Sequence, residues 1–128
     1  MPKWEKSPPE LVELFQQVLP DDPAVERRQM FGFPVAFANG NMFAGLHQDL
    51  IFVRLPKDQY DELIAIPGGA PLEIMPGRAM KNYATLPASM RSDAEVLRVW
   101  LQRGLAHVLS MPPKARRPRP RARGRNLA

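Results

Sequence analysis

The side chains that could carry out catalysis or bind a metal are few and widely spaced. The chain has no cysteine, which excludes disulfides, thiolate metal sites and cysteine nucleophiles. Its two histidines, His47 and His107, lack the spacing that would place two metal ligands on one helical face. Asp21 and Asp22 lie in a proline-flanked stretch typical of a solvated turn, and no nucleophile elbow or phosphate-binding glycine loop occurs. We therefore predict no catalytic residue, no metal site and no cofactor.

A second candidate for chemistry is the group of Arg78, Lys81 and Tyr83, which follows a Pro-Gly turn. Two cations beside an aromatic ring are suited to holding an anion or a nucleic-acid phosphate. The alternative is an ordinary surface turn in which the arginine pairs with a nearby carboxylate. The spacing leaves both interpretations open.

The last 17 residues carry the strongest charge signal. They hold no acidic residue and seven cations, namely Lys114, Arg116, Arg117, Arg119, Arg121, Arg123 and Arg125. Without these seven, 11 of the chain's 18 basic residues oppose 13 acidic ones, so residues 1–111 have a net charge of −2. Like-charge repulsion and repeated prolines predict a disordered tail. It is either a nonspecific nucleic-acid contact or a solubilising terminus.

Residues 1–111 have the hydrophobic periodicity of one α+β domain, and residues 112–128 form the predicted tail. Three amphipathic helices are expected, near the N-terminus, after Pro56 and from Ser92 to about Ser110. Between them we predict an antiparallel meander over residues 28–38, 41–46 and 50–55, with Asn39-Gly40 as a type I′ turn. Two short strands are expected near residues 72–75 and 82–86.

Several local signals refine these elements. Ser7-Pro8-Pro9-Glu10 and Ser92-Asp93-Ala94-Glu95 both have the form of a capping box, which predicts a helix start at each serine. The apolar face of the last helix is expected to include Leu97, Trp100, Leu101, Leu105, Val108 and Leu109. Gly104 interrupts this face, which indicates a close approach by another segment. The methionines and phenylalanines of the strands are interpreted as core, with a partner groove or dimer face as the alternative.

Two blocks of sequence resemble the N-terminal domain of the TfoX/Sxy proteins. The first joins Met30-Phe31-Gly32 to Asn39-Gly40-Asn41-Met42-Phe43-Ala44-Gly45-Leu46 and residues 50–55. The second joins residues 75–83 to Leu86-Pro87 and the last helix. The resemblance implies an α+β domain with an antiparallel sheet. It also implies kinship with bacterial regulators of natural competence, which act with the cyclic-AMP receptor protein at promoters and carry a second, helical domain that we do not find in this chain.

These observations favour a noncatalytic regulatory or adaptor module that binds a protein partner or itself, with weak DNA or RNA attraction through the tail. One rival hypothesis is a small enzyme or ligand-binding protein that uses a pocket near Arg78, Lys81 and Tyr83. Another is a homodimeric structural protein. The absence of cysteine and of a long apolar run leads us to expect a cytoplasmic protein without a membrane segment.

Overall fold

The chain forms a six-stranded antiparallel sheet and three helices, which confirms the predicted α+β class. The computed structural model describes residues 7–30, 32–75 and 77–112, with the backbone alone for Ile74, Met75, Arg78 and Ala79. The helices are α1 (Pro9–Val18), α2 (Lys57–Ile64) and α3 (Ala94–Leu109). The strands are β1 (Glu26–Met30), β2 (Phe33–Ala38), β3 (Asn41–His47), β4 (Leu50–Arg54), β5 (Ala70–Met75) and β6 (Arg78–Thr85), and a 3-10 helix (Ala88–Ser92) precedes α3.

The first four strands follow one another across the sheet, as the predicted meander requires. The chain then leaves through α2 and returns as β5 at the far edge, and β6 fills the space between β5 and β4. The order is therefore β1-β2-β3-β4-β6-β5, and every pairing is antiparallel. In the part of the chain described, no helix combines the length and apolar character needed to cross a lipid bilayer.

The predicted single strand over residues 28–38 is wrong, because two strands occupy this stretch. Gly32 has a φ of +82°, a conformation that glycine adopts without steric cost, and the chain reverses there so that Met30 pairs with Phe33. Apolar residues lie on both sides of Gly32, so composition alone did not reveal the reversal. The Asn39-Gly40 turn is confirmed, with φ values of +57° and +77°.

Both predicted capping boxes are wrong in detail. Helix α1 begins at Pro9 without a side-chain cap, and the Ser7 hydroxyl instead donates to the carbonyl of Gln48 at 2.6 Å. At α3 the N-cap is Asp93, whose carboxylate accepts from the amides of Glu95 and Val96. A carboxylate suits this position because it also complements the positive end of the helix dipole.

A β-bulge in β3 directs two consecutive side chains into the core. Ala36 pairs with Ala44 and Phe37 pairs with Met42, so Phe43 is an extra residue without a partner across the β2–β3 ladder. Phe43 and Ala44 both pack in the core beneath the helices, whereas Met42 belongs to a separate apolar cluster. Simple alternation along a strand would have separated Phe43 from Ala44.

Helix α3 packs closely across the middle of the sheet, as Gly104 predicted. A Cβ atom at Gly104 would lie 2.5 Å from Val53 Cγ2 and 3.2 Å from the carbonyl oxygens of both Phe43 and Arg54. Val53 is branched at Cβ and fully buried, so it has little freedom to move aside. The absence of a side chain at Gly104 therefore sets how near the helix comes to β3 and β4.

Gly104→Leu is expected to lower the free energy of unfolding by about 1–3 kcal/mol, because overpacking outweighs the ~1 kcal/mol gain in helix propensity. Ala106→Leu is the matched control, since Ala106 lies on the exposed side of the same helix and should change stability by no more than about 0.5 kcal/mol. Urea denaturation followed by circular dichroism measures both. An unchanged or more stable Gly104→Leu variant would contradict the close contact.

Candidate functional site

A second apolar cluster lies apart from the core that the helices cover. It consists of Val35, Met42, Phe52, Leu72 and Tyr83, with Met30, Phe37 and Met80 packed against it, and it contains no helical residue. Gly45 permits its dense packing, because a Cβ there would lie 2.6 Å from Phe52 Cζ and 2.7 Å from Val35 Cγ1. The strand methionines that the structure describes are thus packing residues, as predicted.

Tyr83 of β6 links this cluster to polar groups of β3 and β4. Its hydroxyl donates a hydrogen bond to the Met42 carbonyl at 2.8 Å, and its ring meets Phe52 edge-to-face with centroids 5.8 Å apart. The Arg54 guanidinium carbon lies 5.7 Å from the centre of the Tyr83 ring, within the range of a cation–π interaction. Burial raises the pKa of Tyr83, and the nearby Arg54 charge opposes that rise.

The structure describes the side chains of Tyr83 and Lys81 but not that of Arg78, so the anion site stays a prediction. Tyr83 is buried, Lys81 is exposed, and Arg78 is paired through its backbone with Met75 while its side chain is outside the described set. The cation that lies over the Tyr83 ring is Arg54, for which the sequence pattern predicted only a position in a strand. Proximity in the sequence does not predict this contact, because Arg54 and Tyr83 meet by strand pairing.

The two histidines occupy different environments. His47 is buried at the end of β3, its ring 5.3 Å from that of Phe33, and burial lowers its pKa. His107 lies half-buried in the last turn of α3, where burial and, to a smaller extent, the Arg54 charge lower its pKa. Across residues 7–30, 32–75 and 77–112, no group of three or more His, Cys, Asp or Glu side chains could hold a metal ion.

The structure describes the acidic pair Asp21 and Asp22 but not the cations of the basic tail. Asp22 accepts a hydrogen bond from the Ala24 amide at 2.8 Å, which agrees with the predicted turn. The seven tail cations from Lys114 to Arg125 lie outside the described residues. Their assignment to nucleic-acid binding therefore stays a prediction.

The outer face of α3 exposes apolar side chains. Val99 is 49% exposed and Leu109 is 43% exposed, and Ala106 lies on the same solvent-facing side. The prediction that Leu109 packs in the core is wrong, because Val108 takes the inward position and is fully buried. A shallow, open groove on this face is lined by Glu95, Arg98, Val99, Gln102 and Arg103.

The arginines that border this groove already have ionic partners. Arg98 pairs with Glu95 at 2.8 Å, and Arg103 approaches Glu62 of α2 at 3.6 Å while its guanidinium stacks on Trp100 at 4.6 Å. These pairs are partly exposed and add little stability by themselves. They reduce the net positive charge that the outer face of α3 presents.

Tyr83→Phe is expected to lower the free energy of unfolding by about 1–2 kcal/mol, because the buried Met42 carbonyl loses its side-chain donor. Tyr60→Phe is the control, since the structure gives the half-buried Tyr60 side chain no hydrogen bond within the described residues. Urea denaturation of both variants measures the difference. Equal effects would show that the Tyr83 hydroxyl bond does not stabilise the fold.

Comparison with known protein families gives a match that spans both motif blocks. The sequence matches the family model of the TfoX N-terminal domain over residues 13–108, a range that includes the whole sheet and all of α3 except its last residue. Among curated proteins, none shows significant similarity to the chain. The matched segment is most of the 128-residue chain. This protein belongs to the TfoX N-terminal domain family.

Proposed function

We propose that this protein is a noncatalytic regulatory or adaptor module whose folded domain binds a protein, either a partner or a second copy of itself, in the cytoplasm. The observation that carries the proposal is the outer face of α3. There Val99 and Leu109 are the two large hydrophobic side chains left exposed among the described residues. The family match and its resemblance to transcriptional regulators support a regulatory role.

The chemistry of this face favours a protein over a nucleic acid as its occupant. Ala106 lies two helical turns after Val99 and Leu109 lies one turn after Ala106, so the three apolar side chains form a stripe along one side of the helix, which the exposed Gln102 interrupts after Val99. Arg98 and Arg103, which flank the stripe, are paired with Glu95 and Glu62. A docking helix could cover such a stripe without leaving an unpaired charge behind.

The basic tail supports a separate contribution. Residues 1–111 carry a net charge of −2, whereas residues 112–128 carry seven cations. The acidic body offers no general attraction to nucleic acid, so any such attraction is assigned to the tail. Contacts of this kind are electrostatic and largely independent of sequence.

Val99→Gln combined with Leu109→Gln is expected to abolish self-association or partner binding, because it removes the apolar stripe and retains helix propensity. Sedimentation velocity of the purified chain measures self-association. Affinity capture from nuclease-treated native extract, with quantification of each captured protein, measures partner binding. Glu13→Gln, an exposed substitution on α1, is the control. Equal sedimentation and equal capture by the double variant and the wild type would contradict the proposal.

Deletion of residues 112–128 is expected to abolish salt-sensitive nucleic-acid binding and to leave the melting temperature almost unchanged. Each lost phosphate contact should reduce the slope of log affinity against log salt by about 0.7–0.9. A full-length variant with the seven tail cations changed to glutamine separates charge from chain length. Fluorescence anisotropy with labelled DNA and RNA measures binding, and equal binding by the truncated chain would rule out the tail's role.

A further inference from the structure

Strand β1 leaves one edge of the sheet without a partner strand. It is the first strand in the order β1-β2-β3-β4-β6-β5, and within the described residues only β2 pairs with it. Four of its five side chains, Glu26, Arg27, Arg28 and Gln29, are exposed. The outer side of β1 is therefore open to an additional strand.

The backbone of β1 directs hydrogen-bonding groups toward this open side. In an antiparallel ladder, pairs that exchange two backbone hydrogen bonds alternate with pairs that exchange none. Gln29 lies opposite Pro34, which has no amide hydrogen, so the Gln29–Pro34 pair belongs to the second kind. By alternation Arg27 belongs to the second kind as well. The amides and carbonyls of Arg27 and Gln29 therefore point away from β2, and no described residue bonds to them.

The opposite edge of the sheet is less suited to strand addition. β5 contains Pro71, and its register with β6 shifts between Pro71 and Glu73 and again between Glu73 and Met75. A proline and an irregular register are devices that prevent pairing at an exposed edge. β1 has neither, and its pairing with β2 is continuous from Glu26 to Met30. Of the two edges, β1 is the one that can accept another strand.

Within the described residues, Arg27 is the cation of β1 that has no ionic partner. Its neighbour Arg28 pairs with Glu26 at 3.0 Å, whereas none of the ion pairs involves Arg27. Asp21 and Asp22 line a small depression beside Arg27, yet neither forms an ion pair with it. An acidic side chain on an added strand would therefore meet a free guanidinium at this position.

The helices leave room beside Arg27 for the side chains of an added strand. Arg27 lies opposite Ala36, which belongs to the helix-covered core, so the Arg27 side chain is on the helical face of the sheet. On this face an open cleft lies between α1 and β1, lined by Gln16 and Leu19 of α1 and by Arg27 and Gln29 of β1. Side chains of an added strand that point to the helical face would enter this cleft.

We propose that β1 binds an extended acidic segment of a protein partner, which joins the sheet as an additional strand. Backbone hydrogen bonds with Arg27 and Gln29 supply the sequence-independent part of the affinity, and a carboxylate facing Arg27 supplies the preference for an acidic segment. This inference concerns a different surface from the α3 stripe and does not depend on it.

Two other occupants fit this edge less well. Twofold antiparallel pairing with a second copy over all of β1 would place Arg28 directly opposite its own copy, and like charges in that position are destabilising. The chain's own tail carries seven cations and no acidic residue, so it would bring like charge to Arg27. An acidic segment has neither conflict.

The test is an NMR titration with a blocked five-residue peptide of alternating valine and glutamate, against the same peptide with lysine in place of glutamate. The protein is the full-length variant whose seven tail cations are changed to glutamine, so that the tail does not attract the acidic peptide. The Arg27 and Gln29 amides are expected to exchange rapidly with solvent in the free chain and to shift downfield with the glutamate peptide. The Arg28 amide, which faces β2, should change little.

Substitutions separate the backbone contribution from the charge. Gln29→Pro removes one outward donor without removing a bond to β2, so it should weaken peptide binding at least about fivefold and leave urea unfolding almost unchanged. Arg27→Gln should weaken binding of the glutamate peptide about two- to fivefold, and Arg27→Glu should reverse the preference between the peptides. Lys57→Gln, an equal loss of charge on α2, which packs against β5 and β6, should have no effect.

If Gln29→Pro does not fold, the two Arg27 variants still test the site. Equal affinity for the two peptides, or unshifted Arg27 and Gln29 amides at saturation, would overturn the proposal. Slow exchange of these amides in the free chain would overturn it as well, because another segment of the chain would then cover the edge. A wild-type dimer in sedimentation velocity that Gln29→Pro dissociates would assign the edge to a second copy instead of a partner.

Discussion

The packing of α3 against the middle of the sheet determines the rest of the architecture. At Gly104 the helix backbone comes so close to β3 and β4 that a single methyl group would collide with Val53. This contact buries Leu97, Leu101 and Leu105 completely, and each such side chain contributes about 1.5–3 kcal/mol of transfer free energy. Because the inward face of α3 is fixed in this way, the position of Val99, Ala106 and Leu109 on the outward face follows.

The bulge at Phe43 serves the same contact. It turns Phe43 and Ala44 together toward the helices, and the Phe43 carbonyl is one of the groups nearest to Gly104. On the other side of the strand it leaves Met42 free to join the cluster of Tyr83 and Phe52. One extra residue in β3 thus links the helix-covered core to the strand-only cluster.

Sequence patterns predicted the individual helices and turns well, but they predicted poorly which residues contact one another in the fold. The three helices, the Asn39-Gly40 turn, the α+β class and the close approach at Gly104 all follow from periodicity and from the conformational limits of single residues. The reversal at Gly32, the use of Asp93 as the N-cap and the exposure of Leu109 did not. Gly32 interrupts a run of apolar residues, Ser92 and Asp93 are both good N-cap residues, and Leu109 is as apolar as Val108, so residue type alone did not decide these three features.

By itself, the sequence determined that the chain folds as one α+β domain, that seven cations lie together at its C-terminal end, and that it resembles the TfoX N-terminal domain. These features depend on composition, on short-range periodicity and on motifs contiguous in the chain. Only the tertiary structure decided which cation lies beside Tyr83, because Arg54 reaches it through the pairing of β4 with β6. Contacts between residues far apart in the chain arise from packing and strand register, and no local pattern encodes them.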